Sequence, residues 1–192
     1  MREKIGTRRR PLAALTALCA LTLVLVGCGP GTTSTAPASS APSTPSAAGC
    51  PQVQTGSFDK TKFVLHAGLG FGAFHHFIYK PFKAGEFSSG SRGRVGRLVR
   101  AGLATAFTVH ELRLAKQDAE ANPTLCRDIA APLEAAAAKL EGLKGSIGSG
   151  QASGSDLDQV NTSVDQAQHG SSQAGVPADD QIPSVQQLSH PA

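Results

Sequence analysis

Cysteines and histidines are the residues of this 192-residue chain best suited to chemistry: four of the first, six of the second. Cys50 and Cys126 lie 76 positions apart. In an oxidising compartment such a lone pair forms a disulfide. Closing that separation would stabilise the fold by roughly 3–4 kcal/mol in the chain-entropy account. It would tie the start of the globular part to its third helix. His66, His75, His76 and His110 invite a metal or haem reading, and spacing argues against most versions. His66 and His76 are ten residues apart, about 15 Å along a helix. His75 and His76 point about 100° apart on any helix. No C-x-x-C-H is present for covalent haem, and the single methionine is Met1. His110-Glu111 lacks the second histidine of a zinc-protease motif, since position 114 is Leu. What survives is His66 with His110 from two facing helices, where haem or a small apolar ligand would sit. The blander expectation is a core histidine hydrogen-bonded to a neighbour. Gly68-Leu69-Gly70-Phe71-Gly72-Ala73 matches a dinucleotide fingerprint. That motif needs a parallel sheet, and the sequence offers no further strands. No G-x-S-x-G and no phosphate-binding P-loop occurs. The carboxylates fall at polar helix positions, away from the apolar setting that prepares a catalytic acid. The expectation is a protein without catalytic residues, resident cofactor or metal.

Cys28 has a different chemistry. Met1–Arg10 is basic, and Pro11 to Val26 is an apolar run too short to be a comfortable membrane span. Leu25-Val26-Gly27-Cys28 closes it and resembles the bacterial lipobox. Small residues before the cut let a peptidase hold an extended backbone, and the following thiol takes the diacylglycerol. Residues 1–27 therefore read as a lipoprotein signal peptide. The expected product is exported and anchored to the outer face of the membrane through lipid on Cys28. Thr7-Arg8-Arg9-Arg10-Pro11-Leu12 partly resembles a twin-arginine motif, but Pro11 stands where an apolar side chain belongs. The general secretory route is the preferred reading.

Charge follows from this processing. The formal charge is +4, yet 13 of 18 basic and 13 of 14 acidic residues lie beyond position 27. The processed chain is neutral, which removes the electrostatic case for nucleic-acid binding. Within it, residues 59–116 carry a net +7 and residues 117–192 a net −7. The preferred expectation is that the halves pack together and cancel. The sharper one takes Lys80, Lys83, Arg92, Arg94, Arg97 and Arg100 as a patch around the first interhelix loop. Acidic lipid headgroups or an anionic wall polymer would suit it.

The elements needed to position these groups are helical. Residues 28–49 hold the lipidated cysteine and a Ser/Thr/Pro/Ala tether with no large apolar side chain after Cys28, expected to be disordered. A helical domain is predicted over 50–169. Ser57 can cap a first helix whose broad face holds Phe63, Ala67, Gly70, Phe71, Phe74, Phe77 and Ile78. Leu65 and Leu69 lie opposite, which makes this the central helix; Lys80-Pro81 ends it. A second helix over about 92–121 has an apolar face of Val95, Leu98, Val99, Gly102, Leu103, Ala106, Val109, His110 and Leu114. Arg97, Arg100, Ala104, Thr108 and Glu111 fall opposite. Asn122-Pro123 opens a third helix to about Ala131, and Pro132 starts another to about Lys144. Residues 145–154 read as a Gly/Ser loop, and Ser155 caps a last short helix. From Gly170 to 192 the chain is polar with prolines and is expected to be disordered. The fold class is all-α, a four- or five-helix bundle.

The lipobox, the tether and the Ala/Gly/Arg-rich usage together resemble small lipoproteins of high-GC Gram-positive bacteria. The stretch from His66 to Lys83, with its alternating glycines and His75-His76, resembles uncharacterised secreted helical proteins of that group. The resemblance covers roughly residues 50–145. It implies an exported helical protein and no activity or catalytic residue.

Overall fold

The computed structural model describes residues 49–190. The signal peptide, Cys28 and nearly all of the tether lie outside the described residues. Within them all regular structure is helical, as an all-α bundle requires. The elements are α1 (Lys60–Phe74), a π-helical stretch (His75–Tyr79), α2 (Lys80–Lys83), α3 (Arg94–Glu120), α4 (Pro123–Ser149), α5 (Gly154–Gln173) and α6 (Val185–Ser189).

Short polar side chains start three of the long helices. Asp59, two residues after the expected Ser57, accepts from the amides of Thr61 and Lys62. Asn122 accepts from Thr124 and Leu125, with Pro123 in the first turn where no amide partner is needed. Ser153, not Ser155, accepts from Asp156. The first helix does not stop at Lys80-Pro81. It widens into the π turn and runs on to Lys83, because Pro81 falls in a first turn. Nor does Pro132 divide the third helix. α4 is continuous over 27 residues, and the predicted loop from 145 contributes its last turn. An internal proline costs about 3 kcal/mol. Ile129 and Leu133 on either side of it, with Ala136, Ala137 and Leu140 beyond, are buried and hold the helix in line.

α1 is the central helix, as its sequence implied. Phe63, Ala67, Phe71 and Phe74 are buried, and Gly70 to Phe74 is covered on all sides. It packs on α3, which packs on α4, which packs on α5. Helix α3 overturns part of the expected facing: Leu98 and Val109 are buried as predicted, but Ala104, Thr108 and Glu111, expected opposite, are buried with them. Its buried arc is Leu98, Ala101, Ala104, Thr105, Phe107, Thr108, Val109, Glu111, Leu112, Ala115 and Ala119. Val95, Val99 and Leu103, assigned to the core, are 73%, 59% and 37% exposed. The helix has two apolar arcs. The one rich in Ala and Thr is the one that lets α1 and α4 come close on either side.

The C-terminal segment is the second correction. Gly170–His190 is packed, where low apolar content pointed to disorder. Helix α5 continues to Gln173, and Val176, Ala178, Pro183 and Leu188 are buried. Residues 174–184 form a strap across α1. The Gln181 amide donates to the Gly68 carbonyl at 2.8 Å. The strap lies in a groove left by two absent side chains. A Cβ at Gly68 would stand 2.7 Å from the Asp179 carbonyl oxygen, and one at Gly72 would overlap the Gln181 carbonyl. The alternating glycines of the fingerprint-like motif thus serve helix–strap contact, on a helix rather than a strand–helix turn.

Candidate functional site

Three polar clusters and one patch gather the residues singled out by chemistry. The most buried is on α1 and α3. His66 Nδ1 and Glu111 Oε2 are 2.7 Å apart, with side chains 19% and 2% exposed. Gly70, one turn along α1, leaves room for the Glu111 Cβ at 3.4 Å from where its own would be. Asp118 lies two turns further on α3. Its Oδ2 is buried with no hydrogen-bond partner among the described residues, as is the Thr108 hydroxyl. Burial pushes the Asp118 carboxyl above the usual carboxylate range, and His66 and Lys62 nearby offset part of that. A buried carboxylate is tolerable only with a donor or cation against it. His66 fills that role for Glu111, and the pair fixes α1 against α3. The expected pairing of His66 with His110 is not what holds His66. Its partner is the next residue, Glu111, while His110 is half-buried. Glu111 falls on the polar side of a helical wheel of α3, so the sequence pattern does not reveal its burial.

The second cluster joins the π turn, α5 and the strap. His75 Nδ1 is 2.7 Å from Asp180 Oδ2, and Nε2 is 3.2 Å from Asn161 Oδ1. Gln168 Nε2 donates to the other Asp180 oxygen at 2.9 Å. In the third, the Tyr79 hydroxyl donates to Asp158 Oδ1 at 2.8 Å, and Lys83 Nζ reaches the same oxygen at 3.3 Å. Those two contacts hold the Asp158 carboxyl below its ordinary range, Tyr79 contributing most. The same hydrogen bond pushes the Tyr79 phenol up. His76 is exposed beside a surface cavity lined by Phe77, Pro81, Glu86, Arg97 and Arg100. The described residues contain no group of three or more His, Cys, Asp or Glu able to hold a metal ion.

The basic patch divides. Lys83 is bound to Asp158. Arg94 donates to the carbonyls of Phe87 at 2.7 Å and Ser149 at 3.1 Å, closing the loop before α3 onto the end of α4. Arg97 pairs with Glu86 at 2.9 Å and donates to the Arg92 carbonyl. Lys80, Arg92 and Arg100 form no ion pair within the described residues. The oppositely charged halves do meet, through Lys83–Asp158, Arg113–Glu141 and Lys116–Glu134.

Cys50 and Cys126 are bonded, with Cα atoms 5.7 Å apart. Thr55 reinforces the junction, its amide donating to the Ala121 carbonyl at 3.0 Å. The start of the domain is therefore pinned where α3 ends and α4 begins. No helix among the described residues is long and apolar enough to cross a membrane.

No protein-family model, no curated protein and no solved structure matches this chain.

Proposed function

We propose that the chain is an exported protein, anchored through lipid on Cys28 to the outer face of the membrane, and that it acts as a non-enzymatic helical module by contact with envelope components. The observation that carries the reading is the Cys50–Cys126 disulfide. Structural disulfides persist in oxidising compartments and are rare in the reducing cytoplasm. Its position supports the same reading. The bond anchors the domain 22 residues beyond Cys28, so a pull on the tether is carried into α4 rather than unravelling the first turn. The polar clusters favour a structural module. Each joins one packed element to another, and His66 is committed through Nδ1 to Glu111.

The test is processing of the full chain in an actinobacterial host. The wild type should partition into the detergent phase, and its N-terminal peptide should begin at an acylated Cys28. Cys28→Ala should appear in the medium or remain unprocessed. An unmodified Cys28, or a wild type released as freely as Cys28→Ala, refutes the anchor. Alkylation of Cys50 and Cys126 before reduction would argue against export into an oxidising compartment.

A further inference from the structure

We infer that the solvent-facing apolar stripe of α3 is a docking face for the anionic surface of the bilayer that holds the anchor, an inference that rests on the lipid-anchor reading above. Val95, Val99 and Leu103 recur every four residues and so form one stripe. All three are exposed, Val95 at 73%. Ala106 extends the stripe by a turn. Isolated surface aliphatics need no explanation, but three in register on one helix form a contiguous patch. Packing among the described residues does not account for them, since α3 already buries its other apolar arc.

Charge selects the occupant. From Arg94 to His110 the helix carries three arginines and no acidic residue. Arg94 and Arg97 are engaged within the fold, but Arg100 is not. It stands three residues before Leu103, on one flank of the stripe. On the other flank Gly102 meets Gly148 of α4. Lys144 lies one turn back on that helix, exposed and without an ion pair. Arg92 stands just ahead of α3. Aliphatic side chains between long cationic ones form the pattern of an interfacial helix. The valines enter the headgroup boundary while the basic side chains reach the phosphates. A wall polymer would satisfy the charges and leave Val95 and Val99 in water. A second copy would set one Arg100 near another across a two-fold interface, a like-charge contact.

Chain length permits the contact. Helix α3 is about 40 Å long, and the tether enters at its far end, beside the disulfide. The 22 residues from Cys28 to Gly49 can span up to about 75 Å. The anchor can therefore sit in the bilayer with α3 lying along it.

The chain has no tryptophan, so one introduced on the stripe is a sole reporter. The lipidated protein carrying Val99→Trp would be reconstituted in vesicles of phosphatidylcholine alone or mixed equally with phosphatidylglycerol. Val95→Trp is a second stripe position, and Val53→Trp, 73% exposed near the disulfide, is the control. With phosphatidylglycerol, emission from both stripe variants should shift to the blue and be quenched by brominated acyl chains. Val53→Trp should not respond. Adding Arg100→Glu and Lys144→Glu should remove the shift. In an unlipidated processed chain carrying Cys28→Ser, Arg100→Glu should weaken vesicle partitioning on the order of tenfold. Stripe emission that is the same on both vesicles, with acylation of Cys28 verified by mass, overturns the docking face and leaves the anchor standing. A missing acyl group with the unlipidated chain still binding phosphatidylglycerol refutes the anchor and supports the face. A blue shift without lipid that grows with protein concentration identifies a second copy as the occupant and overturns the inference.

Discussion

Gly72→Ala and Gly142→Ala are the same chemical change on two helices, and the structure gives them opposite signs. In a helix interior, alanine is favoured over glycine by about 1 kcal/mol. Gly142 of α4 has open space where a Cβ would go, so the full gain should appear there. At Gly72 the new methyl would overlap the Gln181 carbonyl and press on its amide nitrogen. These are backbone atoms, so the strap itself must lift. Lifting it breaks the Gln181–Gly68 hydrogen bond, worth about 1 kcal/mol. It also strains the His75–Asp180 contact, worth about 1.5–3 kcal/mol as a bond to a charged group and discounted for partial exposure. Set against the helix gain, the net loss is about 2 kcal/mol. At about 2–4 °C per kcal/mol, Gly72→Ala should melt roughly 4–8 °C lower and Gly142→Ala about 2–4 °C higher. Thermal and urea unfolding followed by circular dichroism at 222 nm measures both. Amide exchange at Gln181 should accelerate in Gly72→Ala alone. A Gly72→Ala protein as stable as the wild type, with Gln181 still protected, would refute the glycine groove.

Glu111→Ala should destabilise the fold by about 3 kcal/mol in urea, because it removes the partner of His66 and leaves a gap between α1 and α3; a loss under about 1 kcal/mol would show the pair to be incidental. Asp118→Asn should be stabilising at pH 7. A carboxyl raised by burial favours folding below its unfolded range and loses that contribution as pH rises toward its folded value. The gain should therefore fade as pH falls below the carboxylate range, and a pH-independent difference between the two proteins would contradict the burial argument. Cys126→Ser should lower stability by about 3–4 kcal/mol while leaving helical content intact, read from urea midpoints with and without reductant; wild-type midpoints unaffected by reductant would count against it.

How much of this was legible beforehand depends on the range of the interaction involved. The sequence by itself determined the helical class, the central place of α1 and the Cys50–Cys126 bond. Phe63, Ala67, Phe71 and Phe74 recur with the helical period, Asn122-Pro123 is a local start signal, and only two of the four cysteines, Cys50 and Cys126, lie beyond position 28. It also overpredicted breaks. Pro132 and the glycines after 144 are breakers by propensity, and burial of Ile129, Leu133 and Ile147 overrides them.

Tertiary structure alone decided the rest. Helix α3 offers two overlapping apolar arcs, and a helical wheel drawn through Val95, Val99 and Leu103 leaves Phe107 and Leu112 on the other. The core took the Ala/Thr arc because two neighbouring helices approach it closely. That choice buried Glu111 beside His66 and left Val95, Val99 and Leu103 in solvent. The C-terminal strap has too few apolar residues to announce itself locally. It is ordered by a groove whose glycines lie more than 100 positions earlier, at Gly68 and Gly72. A contact between segments so far apart leaves no period in either of them, so only the packed chain could show it.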